Sequence, residues 1–364
     1  MTGKELETAI RAANPELPRS LKPGSQLVIP GYLSAPILER PVLVAKDFEA
    51  RAIYLTGLMA GSYNGLDIIR RWRQAGGNTV VFDVKDSDGS VSVPFRHPLV
   101  PTTTPYIRNL PKFVRFVHAQ NMHVIARIAI FRDEALAVHH PELTIHSRRS
   151  GGAGGREDGK LVWMDPSNRE VQDYNIALAK FAAESGIDEV QFDYVRFPAE
   201  GDQKDAAFDY QASHPSWQRS DVIVDFLQRA HNEIHAQGVL FSLDVFGVMA
   251  WQREVDLAHT GQDIPRMARH CEVLSPMIYP SHFFGMDGYA APGDAPEHFI
   301  SASMERFAKI TEDTGVVLRP WLQAFGWRTK TYSPDYIRVQ VRTAREHNGI
   351  GFLFWNARND YSKP

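Results

Sequence analysis

A single cysteine, Cys271, among 364 residues rules out an intramolecular disulfide framework, so the fold must rest on a buried apolar core. The chain is long enough to build one, and 43% hydrophobic with 23% charged content is the balance of a soluble globular protein. An excess of either charge is also missing. With 40 Lys and Arg against 43 Asp and Glu, the net charge of −3 gives no broad basic surface for phosphates, which argues against nucleic-acid partners. No apolar run approaches the length of a membrane span. The opening Met1-Thr-Gly-Lys-Glu-Leu-Glu7 lacks the charged-then-apolar pattern of a signal peptide.

Catalytic fingerprints are sparse as well. There is no G-x-S-x-G nucleophile elbow, and Thr56-Gly-Leu-Met-Ala-Gly61 does not have dinucleotide-binding spacing. Ser150-Gly-Gly-Ala-Gly-Gly-Arg156 is rich in glycine but does not join a strand to a helix as a phosphate cradle would, and reads as a flexible surface loop. His139-His140 has no H-x-x-x-H or carboxylate-rich spacing and reads as a solvated pair. Asp83, Asp86 and Asp88 alternate without making an EF-hand. Neither a metal nor a cofactor is expected. Cys271 opens an apolar strand and reads as structural.

What is present is a regular alternation of strand and helix signals. Apolar runs read as strands near 51–57, 78–86, 122–131, 188–198, 240–247, 272–280, 316–325 and 349–357. Helical periodicity follows at 64–75, 110–120, 167–185, 220–237, 262–270, 296–313 and 334–347. Eight such units over about 310 residues predict an α/β fold of the (β/α)8 TIM-barrel type across 50–364. Residues 32–49 read as a linker, and residues 1–31 as a separate short extension.

In such a barrel the chemistry sits at the C-terminal ends of the strands. The stretch Asp188-Glu-Val-Gln-Phe-Asp-Tyr-Val-Arg-Phe-Pro198 fits best. Period two puts Val190, Phe192 and Tyr194 on the face toward the helices, and Gln191 and Asp193 on the other. The other strands deliver Asp83 and Lys85 as a pair sharing a face, Arg127, Asp244, Tyr279 with His282, Trp321 with Gln323, and Trp355; Arg196 follows Asp193. Buried ion pairing is the competing reading for Lys85 and Arg127, and core packing for the aromatics. Carboxylates on adjacent strands, among aromatic and hydrogen-bonding side chains, suit a sugar site. One carboxyl can donate a proton to a glycosidic oxygen while another acts as nucleophile or base. Aromatic faces stack on sugar rings, and polar side chains bind the hydroxyls.

Two resemblances sharpen this. Residues 4–13 read as a helix followed by Asn14-Pro15 and Leu21-Lys-Pro-Gly-Ser-Gln-Leu-Val-Ile-Pro30, which is similar to the second half of a LysM module. LysM modules bind N-acetylglucosamine-containing glycans, so the resemblance implies a product that begins upstream and works outside the cytoplasm or at the cell envelope. A docked N-terminal arm is the alternative. The second resemblance spans most of 50–360. Val190-Gln-Phe-Asp-Tyr-Val-Arg-Phe-Pro198, Ser242-Leu-Asp-Val-Phe-Gly247, Gly261-Gln-Asp-Ile-Pro265, Ser275-Pro-Met-Ile-Tyr-Pro-Ser-His282, Leu318-Arg-Pro-Trp-Leu-Gln323 and Phe354-Trp-Asn356 carry it. Together they resemble a bacterial family of glycoside hydrolases of largely undefined substrate, barrels related to α-amylase-like and chitinase-like groups. The chitinase D-x-x-D-x-D-x-E pattern is missing, with Tyr194-Val195 where its acid would be.

The expected function is hydrolysis of a polysaccharide or envelope glycan by two carboxylates, Asp193 as nucleophile or base and Asp244 as proton donor. Asp83, Lys85, Arg127, Arg196, Tyr279, His282, Trp321, Gln323 and Trp355 are the expected substrate contacts. A glycan-binding barrel without turnover is the alternative, and a deacetylase or lyase would need a metal site.

Overall fold

The computed structural model of the chain describes residues 3–18, 20–30, 45–100 and 105–362. It divides into two units, Met1–Pro41 and Val42–Pro364. In the first, helix Gly3–Ala13 is followed by Asn14, whose side chain accepts from the Val28 amide at 2.8 Å and donates to the Val28 carbonyl at 2.7 Å. One asparagine thus ties the chain beyond the Pro23-Gly24 turn back to the helix end. Residues 31–44, which take in most of the expected linker 32–49, lie outside the described residues.

The second unit contains eight parallel strands at the expected places. They are β1 Ala50–Leu55, β2 Thr79–Lys85, β3 His123–Ala129, β4 Glu189–Asp193, β5 Leu240–Phe246 and β6 Val273–Ile278. β7 comes in two segments, Val317–Leu318 and Trp321–Gln323, and β8 is Gly351–Trp355. Arg319-Pro320 interrupts β7 because proline cannot donate to the ladder. Each strand pairs with its sequence neighbour, and β8 pairs with β1 (Ile53 opposite Phe354), so the sheet closes. The expected (β/α)8 barrel is what forms. Helices such as Arg169–Glu184 and Arg219–His235 surround it. Asn109, Asn168 and Ser333 cap helix starts by accepting amides in the first turn.

Two apolar groups follow from this closure. The large one lies between strands and helices and includes Phe82, Phe192, Phe226 and Phe241. The small one fills the barrel interior with Ala52, Tyr54, Val81, Ile125, Trp321 and Leu353. Interior positions also carry charge, in two places. At the N-terminal end, Glu189 accepts from Arg319 Nη1 at 2.8 Å and lies 3.0 Å from His123 Nε2. Burial alone would raise the Glu189 pKa, but Arg319 and His123 outweigh it and bring it down to about 2. The C-terminal end holds the second charged group.

Candidate active site

Three strand ends meet around one guanidinium. Arg127, at the end of β3, donates from Nη1 to Asp83 Oδ1 at 2.5 Å, and from Nη2 and Nε to Asp193 Oδ2 at 2.6 and 3.2 Å. Asp193 Oδ1 accepts the amide of Tyr194 at 2.6 Å. Asp83 is also bound by the Tyr54 hydroxyl from β1. Asp244, on β5, accepts from Trp321 Nε1 at 2.6 Å through Oδ1. Its Oδ2 is buried without a hydrogen-bond partner and lies 3.8 Å from Arg127 Nε.

One guanidinium facing three carboxylates sets the electrostatics. Burial, then the charge of Asp193, push the Asp244 pKa well above the ordinary carboxylate range, against the pull of Arg127 and Trp321. Burial likewise brings Asp83 up to about 7 although Arg127 lowers it. Burial would weaken the Arg127 charge, but Asp83 and Asp193 more than restore it.

Above this group opens a cavity of about 570 Å³, within the size range of small-ligand sites. Asp193, Asp244, Arg127, Arg196, Tyr279, His282, Trp321 and Trp355 line it, so eight of the residues expected from sequence come together. Trp355 stacks on Tyr54 with ring centroids 4.1 Å apart, and Arg127 lies over Trp355 at 5.1 Å. Tyr279 contacts His282, whose ring is 5.0 Å from Trp327. Trp327 is 47% exposed and Phe284 is 51% exposed, with Arg328 over both rings, making an aromatic shelf beside the cavity.

Three expected contacts lie elsewhere. Lys85 does not share a face with Asp83, because the pairing of β2 with β3 shifts between these two residues. This bulge turns Lys85 outward, where Nζ donates to Asp133 Oδ2 at 2.8 Å and sits 4.8 Å over the Tyr174 ring. Asp83 lies beneath the cavity, fully used by Tyr54 and Arg127. Gln323 is spent on loops: it accepts the Ser281 amide and donates to Phe325 O and Thr329 Oγ1.

Other residues line the cavity that period and spacing did not indicate. Tyr194 was expected toward the helices, but its φ of +54° breaks the alternation and turns the ring into the cavity. A left-handed aromatic residue stores roughly 1–3 kcal/mol of strain, held here beside Asp193. Arg132 and Glu157 also line the wall. Glu157 directly follows the glycine-rich segment Ser150–Arg156, whose last residue is not in a free loop: Arg156–Glu157 pairs with Lys160–Leu161 in a hairpin. A Cβ on Gly155 would meet the Trp163 carbonyl oxygen at 2.3 Å, so glycine is needed for that close approach. Nothing local in the sequence tells that this segment folds over the barrel mouth.

A group able to hold a metal is also present, which the sequence reading did not include. His231 and His235 are four residues apart on helix Arg219–His235, and with Glu272 their ligand atoms lie within 4.8 Å of one another. Glu272 directly precedes β6, so this group is at the opposite end of the barrel from the cavity.

A (β/α)8 barrel that gathers carboxylates from adjacent strand ends among aromatic rings is built like the glycosidase barrels. The chain belongs to the family described as "putative glycosyl hydrolase domain", whose model matches residues 52–361. The chain is thus a glycoside hydrolase. Among solved structures it is similar to the PgaB (BpsB) glycoside hydrolase domain from Bordetella bronchiseptica, with 14% identity and a TM-score of 0.65 over 85% of this chain and 94% of that one. It is similar to β-galactosidase from the psychrophilic Marinomonas ef1, with 12% identity and a TM-score of 0.60 over 84% of this chain and 54% of that one. Both likenesses concern the fold. A hypothetical protein from Ruminiclostridium thermocellum ATCC 27405 is 33% identical over 53% of this chain and 97% of its own length, with a TM-score of 0.44. No curated protein sequence matches the chain.

Proposed function

We propose that the chain cleaves a glycan with Asp244 as proton donor and Asp193 as nucleophile or base. The observation that carries this is the contrast between the two carboxyls. Asp244 is buried, has an unpartnered Oδ2, and is pushed by burial and by Asp193 toward its protonated form. Asp193 accepts from three N–H groups on Arg127 and Tyr194. A protonated acid beside a carboxylate is the pairing glycosidic cleavage requires.

In this reading Asp244 gives its proton to the glycosidic oxygen as the bond to the anomeric carbon breaks. Asp193 then attacks that carbon or removes a proton from the attacking water. The two Oδ2 atoms lie 3.2 and 3.8 Å from the same Arg127 Nε, so their separation cannot exceed about 7 Å. Retaining enzymes hold their carboxyls about 5–5.5 Å apart and inverting ones about 6.5–9.5 Å, so the bound favours retention and Asp193 as nucleophile. Trp355, Trp321 and Tyr279 supply ring faces and donors, and the Trp327–Phe284 shelf extends the track. The Asn14-clamped turn after the first helix, similar to half a LysM module, supports an envelope glycan and action outside the cytoplasm.

The test is reducing-end release from a panel of envelope and storage glycans by wild type, Asp193→Asn and Asp244→Asn, each checked for folding by circular dichroism. Both variants should lose about 10²–10⁴-fold. Asp244→Asn should recover on a substrate with an activated aryl leaving group, which needs no proton, whereas Asp193→Asn should not. Undiminished cleavage by Asp193→Asn would refute the assignment. Wild type that binds a glycan without cleaving any would replace it with a binding barrel.

A further inference from the structure

Three arginines line the cavity, and they differ in how many of their nitrogens are already used. Arg127 has all three committed to Asp83 and Asp193. Arg132 has all three committed as well, Nε and Nη2 to Glu157 and Nη1 to the Ser87 carbonyl. Arg196 is different. Its Nη1 donates to the Phe197 carbonyl at 3.1 Å and approaches Glu200 at 3.5 Å, while Nε and Nη2 have no partner among the described residues. Yet Arg196 is only 5% exposed.

Its surroundings explain how it can wait in that state. The guanidinium carbon lies 4.6 Å over the Trp163 ring and 4.3 Å over the Phe246 ring, with Tyr194 at 5.7 Å. With two rings packed this closely on the guanidinium, its unpaired Nε and Nη2 remain the donors free for a ligand, and Arg196 lines the same cavity as Asp193 and Asp244. Its nearest counter-charge, Glu200, has a side chain 51% exposed, so water screens it and it can swing aside. Burial, not Glu200, dominates the electrostatics of Arg196 and lowers its pKa. A buried cation short of a partner is costly, and its planar pair of N–H donors matches the two oxygens of a carboxylate.

We propose that the substrate is an acidic glycan, and that the Nε–Nη2 edge of Arg196 binds the carboxylate of a uronic acid residue next to the cleavage point. This rests on the cavity being the glycan site. It adds the substrate class, which the carboxylate pair alone does not select. A neutral sugar would leave the Arg196 edge facing only hydroxyls.

The test is calorimetric binding to Asp193→Asn, so that no ligand is consumed. Five probes serve: a glucuronan oligomer, an oligogalacturonate, the carboxyl-reduced form of each, and a phosphodiester-linked glycan fragment. A uronide should bind roughly 10- to 100-fold tighter than its reduced form. Adding Arg196→Gln should erase that difference. Because Arg196 is buried, a second variant guards against misfolding: Glu200→Gln removes the competing carboxylate and should tighten the uronide roughly two- to fivefold. Equal binding of uronide and reduced form, binding of neither, or preference for the phosphodiester fragment overturns the proposal. These readouts need no turnover, so they fail separately from the hydrolase mechanism, which fails if wild type releases no reducing ends.

Discussion

Replacing Trp321 by Phe tests whether Asp244 is the proton-carrying group. The change keeps most of the ring packing against Tyr54 and Trp355 but deletes the indole N–H that reaches Asp244 Oδ1 at 2.6 Å. Asp244 Oδ2 already lacks a partner, so the carboxyl would have no hydrogen-bond donor left. A hydrogen bond to a charged group contributes about 1.5–3 kcal/mol, and one to a neutral group about 0.5–1.5. The difference, about 1–1.5 kcal/mol, is what the ionised form loses relative to the protonated form. At about 1.36 kcal/mol per unit, the Asp244 midpoint should rise by about one unit. Two measurements follow it. The carboxylic C=O stretch of Asp244, isolated as the infrared difference between Trp321→Phe and Trp321→Phe/Asp244→Asn across a pH series, should persist to higher pH than in the pair with Trp321 intact. The basic limb of kcat/KM against pH should move the same way, because the donor must be protonated in the free enzyme. A midpoint that falls, or stays within a few tenths of a unit, would refute the role given to this hydrogen bond.

Asp193→Asn should lower the Asp244 midpoint, since it removes the charge that most favours the proton after burial and frees Arg127 to serve Asp244; the same infrared titration reads it, and a rise would count against the pairing. Asp83 titrates at about 7 when folded against an ordinary 3.8, so the folded state holds its proton longer, and the associated stability is lost as pH rises from about 4 through 7. From pH 5 to pH 8 that loss is roughly 2–3 kcal/mol, and urea unfolding of Asp83→Asn should lack this part of the wild-type decline. Lys85→Met should destabilise by about 3–5 kcal/mol because Asp133 is left buried without its cation, while kcat per folded molecule changes little. A large fall in kcat with unchanged stability would return Lys85 to the site.

Much of this was legible before the fold was in view. Parallel strands buried on both faces read as nearly continuous apolar runs, so all eight barrel strands stood out, from Ile53-Tyr54-Leu55 to Phe352-Leu353-Phe354. Polar residues inside such runs have to face the barrel interior, which is why Arg127, Asp193 and Asp244 could be singled out. The misplacements have a common origin. Lys85, Tyr194 and Gln323 all sit at strand ends, where the period of two was extended one residue too far. A bulge turns Lys85 outward, a left-handed φ turns Tyr194 inward, and hydrogen bonds to two loops absorb Gln323. Glu157 and Arg132 belong to loop geometry that no periodicity encodes. The His231–His235–Glu272 group joins a helix to a residue 41 positions further on from His231, and only its i, i+4 half was visible in the chain.

The two ends of the barrel show why the residues at one end form a site and those at the other do not. At the N-terminal end Arg319 and His123 both bind Glu189, whose pKa falls to about 2, and the neighbouring Asp188 is paired with His118 and His123. At the C-terminal end Arg127 is the cation among Asp83, Asp193 and Asp244, and Asp83 rises to about 7 with Asp244 higher than its ordinary range. Both places are buried, so burial alone does not separate them. The ratio of carboxylates to cations does. One cation cannot neutralise three carboxylates in a low-dielectric interior, and the least compensated of them takes up a proton instead. That carboxyl is Asp244, with one N–H donor and an unpartnered oxygen, and it is also the one beside Asp193 at the cavity floor. In the proposed mechanism this charge imbalance is what favours the protonated form of Asp244 and so a proton for transfer.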